Sequence, residues 1–292
     1  MRLRPPTDAD AEAVFALILA RDLADLGEPD YVLDDLRQEW GLQEVDLARD
    51  AVVVEDEDGS LVGYAIVRSV GAQVIVPPEQ TGRGIGSRLL SWAEERGPRR
   101  QWVAERDVAG HDLLGRAGYE LVRHYWRMGR DLAAPVAPSP PPEGVRLRAL
   151  EPRADAEAVH ALDAAAFAGA PDNRLMSLAA FIEEHLEAHD LEPALSLVAE
   201  RGGRLAGFLL ARRWEDDDVG YIADLAVHPD EQRRGLGTAL LLNAFAGFRA
   251  AGLRAAQLGV ASDNPRALRL YERAGMTQRF RVDVLEHPGD YA

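Results

Sequence analysis

Between Glu231 and Leu242 the sequence reads EQRRGLGTALLL, and between Gln80 and Leu90 it reads QTGRGIGSRLL. In each, glycine and arginine stand directly before residues that are apolar at helical spacing. Glycine at a helix start lets backbone approach a ligand closely, and the first N–H groups of a helix have no partner inside it. Together with the helix dipole these donors make an anion site suited to a pyrophosphate. At the later position the site would comprise Gly235, Leu236, Gly237 and Thr238, with Arg233 and Arg234 adding positive charge. At the earlier one it would comprise Arg83, Gly84, Ile85, Gly86 and Ser87. Two other phosphate-binding patterns do not fit. A P-loop needs Lys before Ser or Thr, and all 33 basic residues of this chain are Arg. A dinucleotide fingerprint needs a third glycine and a place after the first strand of a βαβ unit.

The elements that must position the later turn follow from periodicity. A strand is expected over 145–149, a helix over 154–166 and a second helix from about Arg174 to Ala188. Strands follow near 195–200, 204–212 and 219–227, the last ending before Pro229. After the turn come a helix over 238–250, a strand over 254–260, a helix over 265–274 and closing strand structure over 276–285. Three strands joined by short turns are antiparallel, whereas helix-connected strands are usually parallel, so the sheet is mixed and covered by helices. Residues 132–144, LAAPVAPSPPPEG, contain five prolines and no apolar period, and read as an extended linker. The same opening recurs on both sides of it: the octets Asp10 to Leu17 and Asp155 to Leu162 differ only at Phe15 against His160. An internal duplication is expected, giving a first domain over 1–131, the linker over 132–144 and a second domain over 145–292. The fold class is α/β (α+β): two tandem domains, each a mixed, mostly antiparallel sheet with helices on both faces.

Composition narrows the function classes. A chain of 292 residues, 47% hydrophobic, can bury two cores. With no cysteine, disulfides, thiolate metal sites and a cysteine nucleophile are excluded. A net charge of −16 disfavours nucleic acid and anionic membranes as partners, and the polar start with no long apolar run points to a soluble, cytoplasmic protein. No metal-ligand spacing and no nucleophile triad is apparent.

The run LAVHPDEQRRGLGTALL resembles the acetyl-CoA signature of the GCN5-related N-acetyltransferase (GNAT) superfamily, Q/R-x-x-G-x-G/A between a strand and a helix, with Gln232, Gly235 and Gly237 at its fixed positions. The segments DLAVHP before it and SDNPRALRLYERAGM after it are also typical of that superfamily. The resemblance implies acetyl-CoA as acyl donor, with no metal, and direct attack by a primary amine of a small molecule. It implies that the strand at Asp224, Leu225, Ala226 and Val227 splays from its neighbour to take the pantetheine arm. The N–H groups of Arg233, Arg234, Gly235, Leu236, Gly237 and Thr238 would hold the pyrophosphate. Tyr271 would be the acid, its hydroxyl, near pKa 10, protonating a thiolate near 8.5. Asn264 would contact the cofactor, although its place before Pro265 suits a helix N-cap equally.

Asp224 is the candidate base. An ordinary carboxylate is a poor acceptor from an ammonium near 10.4, so it acts through water or a raised pKa, or else it orients a cationic substrate. His160 and His228 read as packing and loop residues, and the run Glu215 to Asp218 as a solvated hairpin turn.

A constant offset pairs Thr81 with Gln232, Gly84 with Gly235, Gly86 with Gly237 and Gln73 with Asp224; the RAG triplets pair Leu114 with Tyr271 and Asp107 with Asn264. The first half keeps the anion turn, a second candidate CoA site, and loses the side chains assigned to chemistry. It reads as a degenerate copy beside a catalytic second half, as in the tandem, mycothiol synthase-like branch of the superfamily, which acetylates a cysteinyl pseudodisaccharide. A non-catalytic CoA-binding sensor or scaffold is the alternative from another class.

Overall fold

The computed structural model describes residues 1–169, 176–214 and 218–291. The chain forms two compact units, Met1–Tyr125 with Phe280–Ala292, and Trp126–Arg279. The units are therefore not the two sequence halves: from Phe280 the chain lies with the first unit, and from Trp126 with the second.

The first unit runs β1 (Arg2–Arg4), α1 (Ala11–Asp25), α2 (Leu33–Gly41), α3 (Leu47–Asp50), β2 (Ala51–Glu55), β3 (Leu61–Arg68), β4 (Gly71–Ile75), α4 (Ile85–Glu94), β5 (Arg100–Ala104), α5 (Val108–Arg116) and the start of β6 (Glu120–Asp131). Its strands lie in the order β1-β2-β3-β4-β5, followed by the end of the last strand of the chain, whose Val284 faces Trp102 of β5. Only β4 and β5 run parallel among the pairs of this sheet, with α4 as the crossover between them. Both faces are covered, so Ala51 to Val54 of β2 are all apolar and buried and do not alternate. Val53 packs with Val14, Leu36 and Trp40 of α1 and α2. Val52 and Val54 pack on the other face with Ile85 and Leu89 of α4.

The second unit repeats the plan: β7 (Val145–Ala149), α6 (Pro152–Ala166), α7 (Leu178–Phe181), β8 (Leu197–Arg201), β9 (Arg204–Trp214), β10 (Val219–Val227), α8 (Leu236–Ala250), β11 (Ala255–Ala261), α9 (Pro265–Arg273) and β12 (Thr277–Glu286). The order is β6-β11-β10-β9-β8-β7, with β7 to β10 antiparallel and β10 parallel to β11. Buried Leu240, Phe245 and Phe248 of α8 form one core with Leu209, Ile222 and Leu258. Phe181 and Val159 form the other with Phe208.

The expected second helix differs in kind. Arg174 and Leu175 lie outside the described residues, and α7 is a single turn that widens into a π-helical turn over Ile182–Leu186. Of the expected hairpin run, Glu215, Asp216 and Asp217 lie outside the described residues. Asp218 is left-handed at φ 51 and pairs with Arg254 at 2.9 Å. The repeated octets have a local cause. Asp10 binds Arg4 at 2.8 Å and Asp155 binds Arg148 at 2.6 Å, so each unit ties its first strand to its first helix through the same ion pair.

Candidate active site

β10 and β11 pair from Val219 opposite Ala255 to Ile222 opposite Leu258. Their pairing ends there, although β10 continues to Val227 and β11 to Ala261. On its other edge β10 stays paired with β9 through Val227, with Ala223 bulged between Ile222 and Asp224. Asp224, Leu225, Ala226 and Val227 therefore border an opening between the two parallel strands.

The turn beyond β10 is fixed by side chains. Gln232 donates from Nε2 to the Val227 carbonyl at 3.1 Å and accepts at Oε1 from Arg266 at 2.5 Å, tying the strand end to the start of α9. Arg233 (φ 63) and Gly235 (φ 87) are left-handed, which turns successive N–H groups the same way. No side chain caps α8, so the N–H groups of Leu236, Gly237 and Thr238 lack a capping partner. A Cβ at Gly237 would stand 3.3 Å from Leu270 Cδ2, so this glycine lets α8 lie close to α9. The two arginines differ: Arg234 pairs with Glu231 at 3.3 Å, whereas Arg233 has no ion pair among the described residues.

Asn264 caps α9, its Oδ1 accepting from the Ala267 N–H at 3.0 Å. Asp107 caps α5 in the same way, accepting from Gly110 at 2.9 Å. His228 also has a loop role, accepting at Nδ1 from the Asp230 N–H at 3.3 Å.

The Tyr271 ring is buried in the core of the second unit, and its hydroxyl makes no hydrogen bond among the described residues. Burial, reinforced by the charge of Asp224 and by Tyr221, pushes its phenol well above the ordinary range. It therefore stays protonated across the neutral pH range and is available as a donor. Among the described residues the Asp224 carboxylate has one hydrogen-bond partner, His185, whose Nδ1 lies 3.0 Å from Asp224 Oδ2. Burial opposes ionisation of Asp224. The His185 charge, its hydrogen bond and Arg212 outweigh burial and hold the carboxyl below its ordinary range. That is the opposite of the raised pKa an efficient direct base would need. Burial likewise opposes the charged form of His185, but Asp224 wins and raises it.

Asp163 on α6 faces the same group; burial and the Asp224 charge push it up to about 6. His160 packs as its position suggested, with Nε2 2.9 Å from the Met176 carbonyl and its ring against Phe181. Sequence reasoning missed His185 and Asp163. His185 sits in a segment whose helix type was misread, and Asp163 looked like any polar residue of an amphipathic helix.

The first unit carries the same turn without this chemistry. Gly82 (φ 83) and Gly84 (φ 80) repeat the left-handed pair, α4 has no side-chain cap, and a Cβ at Gly86 would meet Leu113 Cδ2 at 3.0 Å. Arg83 is drawn to Asp56 at 2.8 Å. A cleft of about 680 Å³ opens here, lined among others by Gln73, Gly84, Ser87, Gln101 and Leu114. Arg21 enters this cleft and pairs with Asp25 and, at 2.9 Å, with Asp107. This cleft thus lies in one unit, and Tyr271, Asp224 and His185 lie in the other. Among the described residues no helix is long and apolar enough to cross a membrane.

Comparison with known proteins agrees with this repeated arrangement. The sequence matches the acetyltransferase (GNAT) family over residues 18–119 and 157–276. It is 34% identical over 289 residues to the mycothiol acetyltransferase of Thermobispora bispora, covering 96% of each chain. It is 35% identical to that of Geodermatophilus obscurus, covering 94% of this chain and 93% of the relative. Among solved structures, a GCN5-related N-acetyltransferase from Sphaerobacter thermophilus superposes with a TM-score of 0.79 at 28% identity, over 97% of this chain and 94% of that one. A tandem GNAT protein from the clavulanic acid biosynthesis pathway has the same fold, with a TM-score of 0.75 at 18% identity over 97% of each chain. With the match falling on both sides of the proline-rich linker and taking in both glycine turns, the chain belongs to the acetyltransferase (GNAT) family and is a tandem N-acetyltransferase.

Proposed function

We propose that the second unit transfers the acetyl group of acetyl-CoA to a primary amine of a small molecule by direct attack. The observation that carries this reading is that Tyr271 lies within reach of the Asp224 charge, where Asp224 borders the opening of β10 from β11 and α8 starts uncapped. The residues present fit acetyl-CoA. An uncapped helix start with left-handed Arg233 and Gly235 suits the pyrophosphate, and the open edge at Leu225, Ala226 and Val227 suits the amide groups of the pantetheine arm. When bound, acetyl-CoA supplies an activated acyl group on a thiolate leaving group.

The chain's own groups supply the rest. Arg233 meets the phosphate charge, while Gln232 keeps the turn in register with α9. Asn264 serves as the cap that aims α9. Tyr271, itself buried, donates a hydrogen bond to the sulfur as charge develops there. The carboxylates of Asp224 and Asp163 favour a cationic acceptor.

The first unit, in this reading, holds CoA at Arg83, Gly84, Ile85, Gly86 and Ser87 without turnover, because Leu114 and Gln73 replace the acid and the carboxylate. A second reading for the acceptor, a cysteinyl pseudodisaccharide of the mycothiol synthase type, is favoured by the mycothiol acetyltransferases that match along the chain. The composition favours a cytoplasmic setting.

Calorimetric titration with acetyl-CoA, followed by thiol release with an amine panel, tests the proposal. Binding with amine-dependent thiol release supports it. Binding without turnover on any amine would favour the sensor or scaffold class, and no binding would remove the basis of the reading.

A further inference from the structure

We propose that His185 is the group that takes the proton from the acceptor amine, with Asp224 acting as its positioning residue. The inference rests on the acetyl transfer proposed above and names the base for it.

Two contacts hold His185 in one orientation, and its surroundings are themselves fixed. Its Nδ1 lies 3.0 Å from Asp224 Oδ2. Its ring stacks on Phe181 with centroids 4.6 Å apart and planes 22° from parallel. Phe181 itself is fully buried against α6. The backbone beside it is pinned, because Arg212 donates from Nη2 to the Glu184 carbonyl at 3.0 Å. The histidine also lies in the π-helical turn Ile182–Leu186, where the extra residue swings a side chain off the helical register. A ring held this firmly and used only for packing would not need a carboxylate. A carboxylate on Nδ1 fixes the neutral tautomer with its hydrogen on that atom, leaving the Nε2 lone pair as the acceptor. Nε2 has no hydrogen-bond partner among the described residues.

Asp224 is poorly placed to be the base itself. Its carboxylate is engaged by His185, and it stands directly after the bulge, where it serves both the opening and the histidine. The charged and titratable groups around His185 are Asp224 on β10, Arg212 on β9, Asp163 and His160 on α6, and Glu184 in its own turn. Asp224 dominates their net effect, and an imidazole raised above 6.5 accepts from an ammonium near 10.4 far better than a depressed carboxylate does.

The step balances as follows. The ammonium proton passes to Nε2, and the freed nitrogen lone pair forms the C–N bond. The C–S bonding pair leaves on sulfur, which accepts a hydrogen bond from Tyr271, and the second proton of the nitrogen neutralises the thiolate, so Tyr271 stays protonated throughout. The imidazolium then releases its proton to solvent.

The test is the pH dependence of kcat/KM for the full chain with acetyl-CoA and the amine of a glucosamine, ethanolamine and cadaverine panel that is turned over fastest. Calorimetric affinity for acetyl-CoA serves as the check that each variant folds. His185→Gln should lower kcat at least 100-fold and leave acetyl-CoA affinity within twofold. Asp224→Asn should lose less and shift the acidic limb to lower pH, since the imidazole loses the charge that raises it. An Asp224→Asn variant with the greater loss, or a His185→Gln variant that keeps the wild-type limb, would overturn the assignment. Imidazole ¹⁵N resonances of the unsubstituted protein give a second test that no folding defect can obscure. A neutral form with hydrogen on Nδ1 and a midpoint above 6.5 is expected; hydrogen on Nε2 or a midpoint below 6.5 overturns it. Failure of the wild-type chain to turn over any amine would instead sink the acetyl transfer on which the inference stands.

Discussion

Replacing Tyr271 by Phe separates catalysis from packing, because the structure assigns the ring and the hydroxyl different surroundings. The ring is 8% exposed and belongs to the core of the second unit. The hydroxyl has no hydrogen bond among the described residues, so removing it leaves no orphaned partner there. Stability should therefore change by no more than about 0.5 kcal/mol. Tyr271→Ala, by contrast, would empty the ring's site and cost about 3 kcal/mol or more.

The effect on rate follows from the other surroundings. Burial, Asp224 and Tyr221 all disfavour the phenolate, so full transfer to a thiolate near 8.5 is uphill and the hydroxyl acts as a donor in the transition state. Loss of such a donor costs about 100-fold in kcat, equivalent to ~2.7 kcal/mol. Acetyl-CoA affinity should stay near its wild-type value. The assay is thiol release under saturating acetyl-CoA, paired with urea unfolding of the same preparation. Wild-type kcat in Tyr271→Phe would show that the tyrosine only packs. An equal fall in stability would show that the rate loss is structural.

Three further outcomes are expected. Arg233→Gly should raise stability by about 1 kcal/mol, since φ 63 strains any residue with a Cβ, while acetyl-CoA binding weakens about tenfold through loss of the unpaired guanidinium; the urea midpoint and calorimetry read the two effects. Asp163 titrates at about 6 in the folded chain, above the unfolded value near 3.9, so its contribution to stability falls as pH rises from about 4 to about 6. Asp163→Asn should then be more stable than wild type at pH 7.5 by about 1 kcal/mol, a figure discounted for solvent contact, and the difference should vanish near pH 4 in paired denaturant titrations. The Arg148 hydrogen bond depresses Asp155 below its ordinary range, so that pair stabilises the second unit above about pH 4 and is lost as pH falls. Asp155→Asn should cost about 1 kcal/mol at neutral pH and progressively less in acid, measured by thermal unfolding.

Much of this protein is determined by local sequence. The duplication is written in the octets from Asp10 and Asp155, and the structure supplies their reason in the Arg4 and Arg148 ion pairs. β10 was legible because alternating apolar residues run into Pro229, and α8 because leucines recur at helical spacing after Gly235. The left-handed turns were legible for the same kind of reason: a φ near 80° leaves glycine as the residue that fits without strain, so Gly84 and Gly235 mark the bend in the sequence itself. Asn264 before Pro265 likewise announced a helix start, and the structure uses it as one.

Only the tertiary structure decided the rest, because it depends on residues far apart in the chain. His185 meets Asp224 across 39 positions, and no local pattern marks such a pair. The depressed carboxyl of Asp224 follows from that meeting and speaks against the raised pKa that is one of the routes its strand position leaves open. The exchange of strand ends between the units was also invisible. Which sheet the ends of β6 and β12 complete is set by long-range pairing, not by periodicity. Propensity and turn chemistry act within a few residues; partnership between side chains is a property of the folded chain.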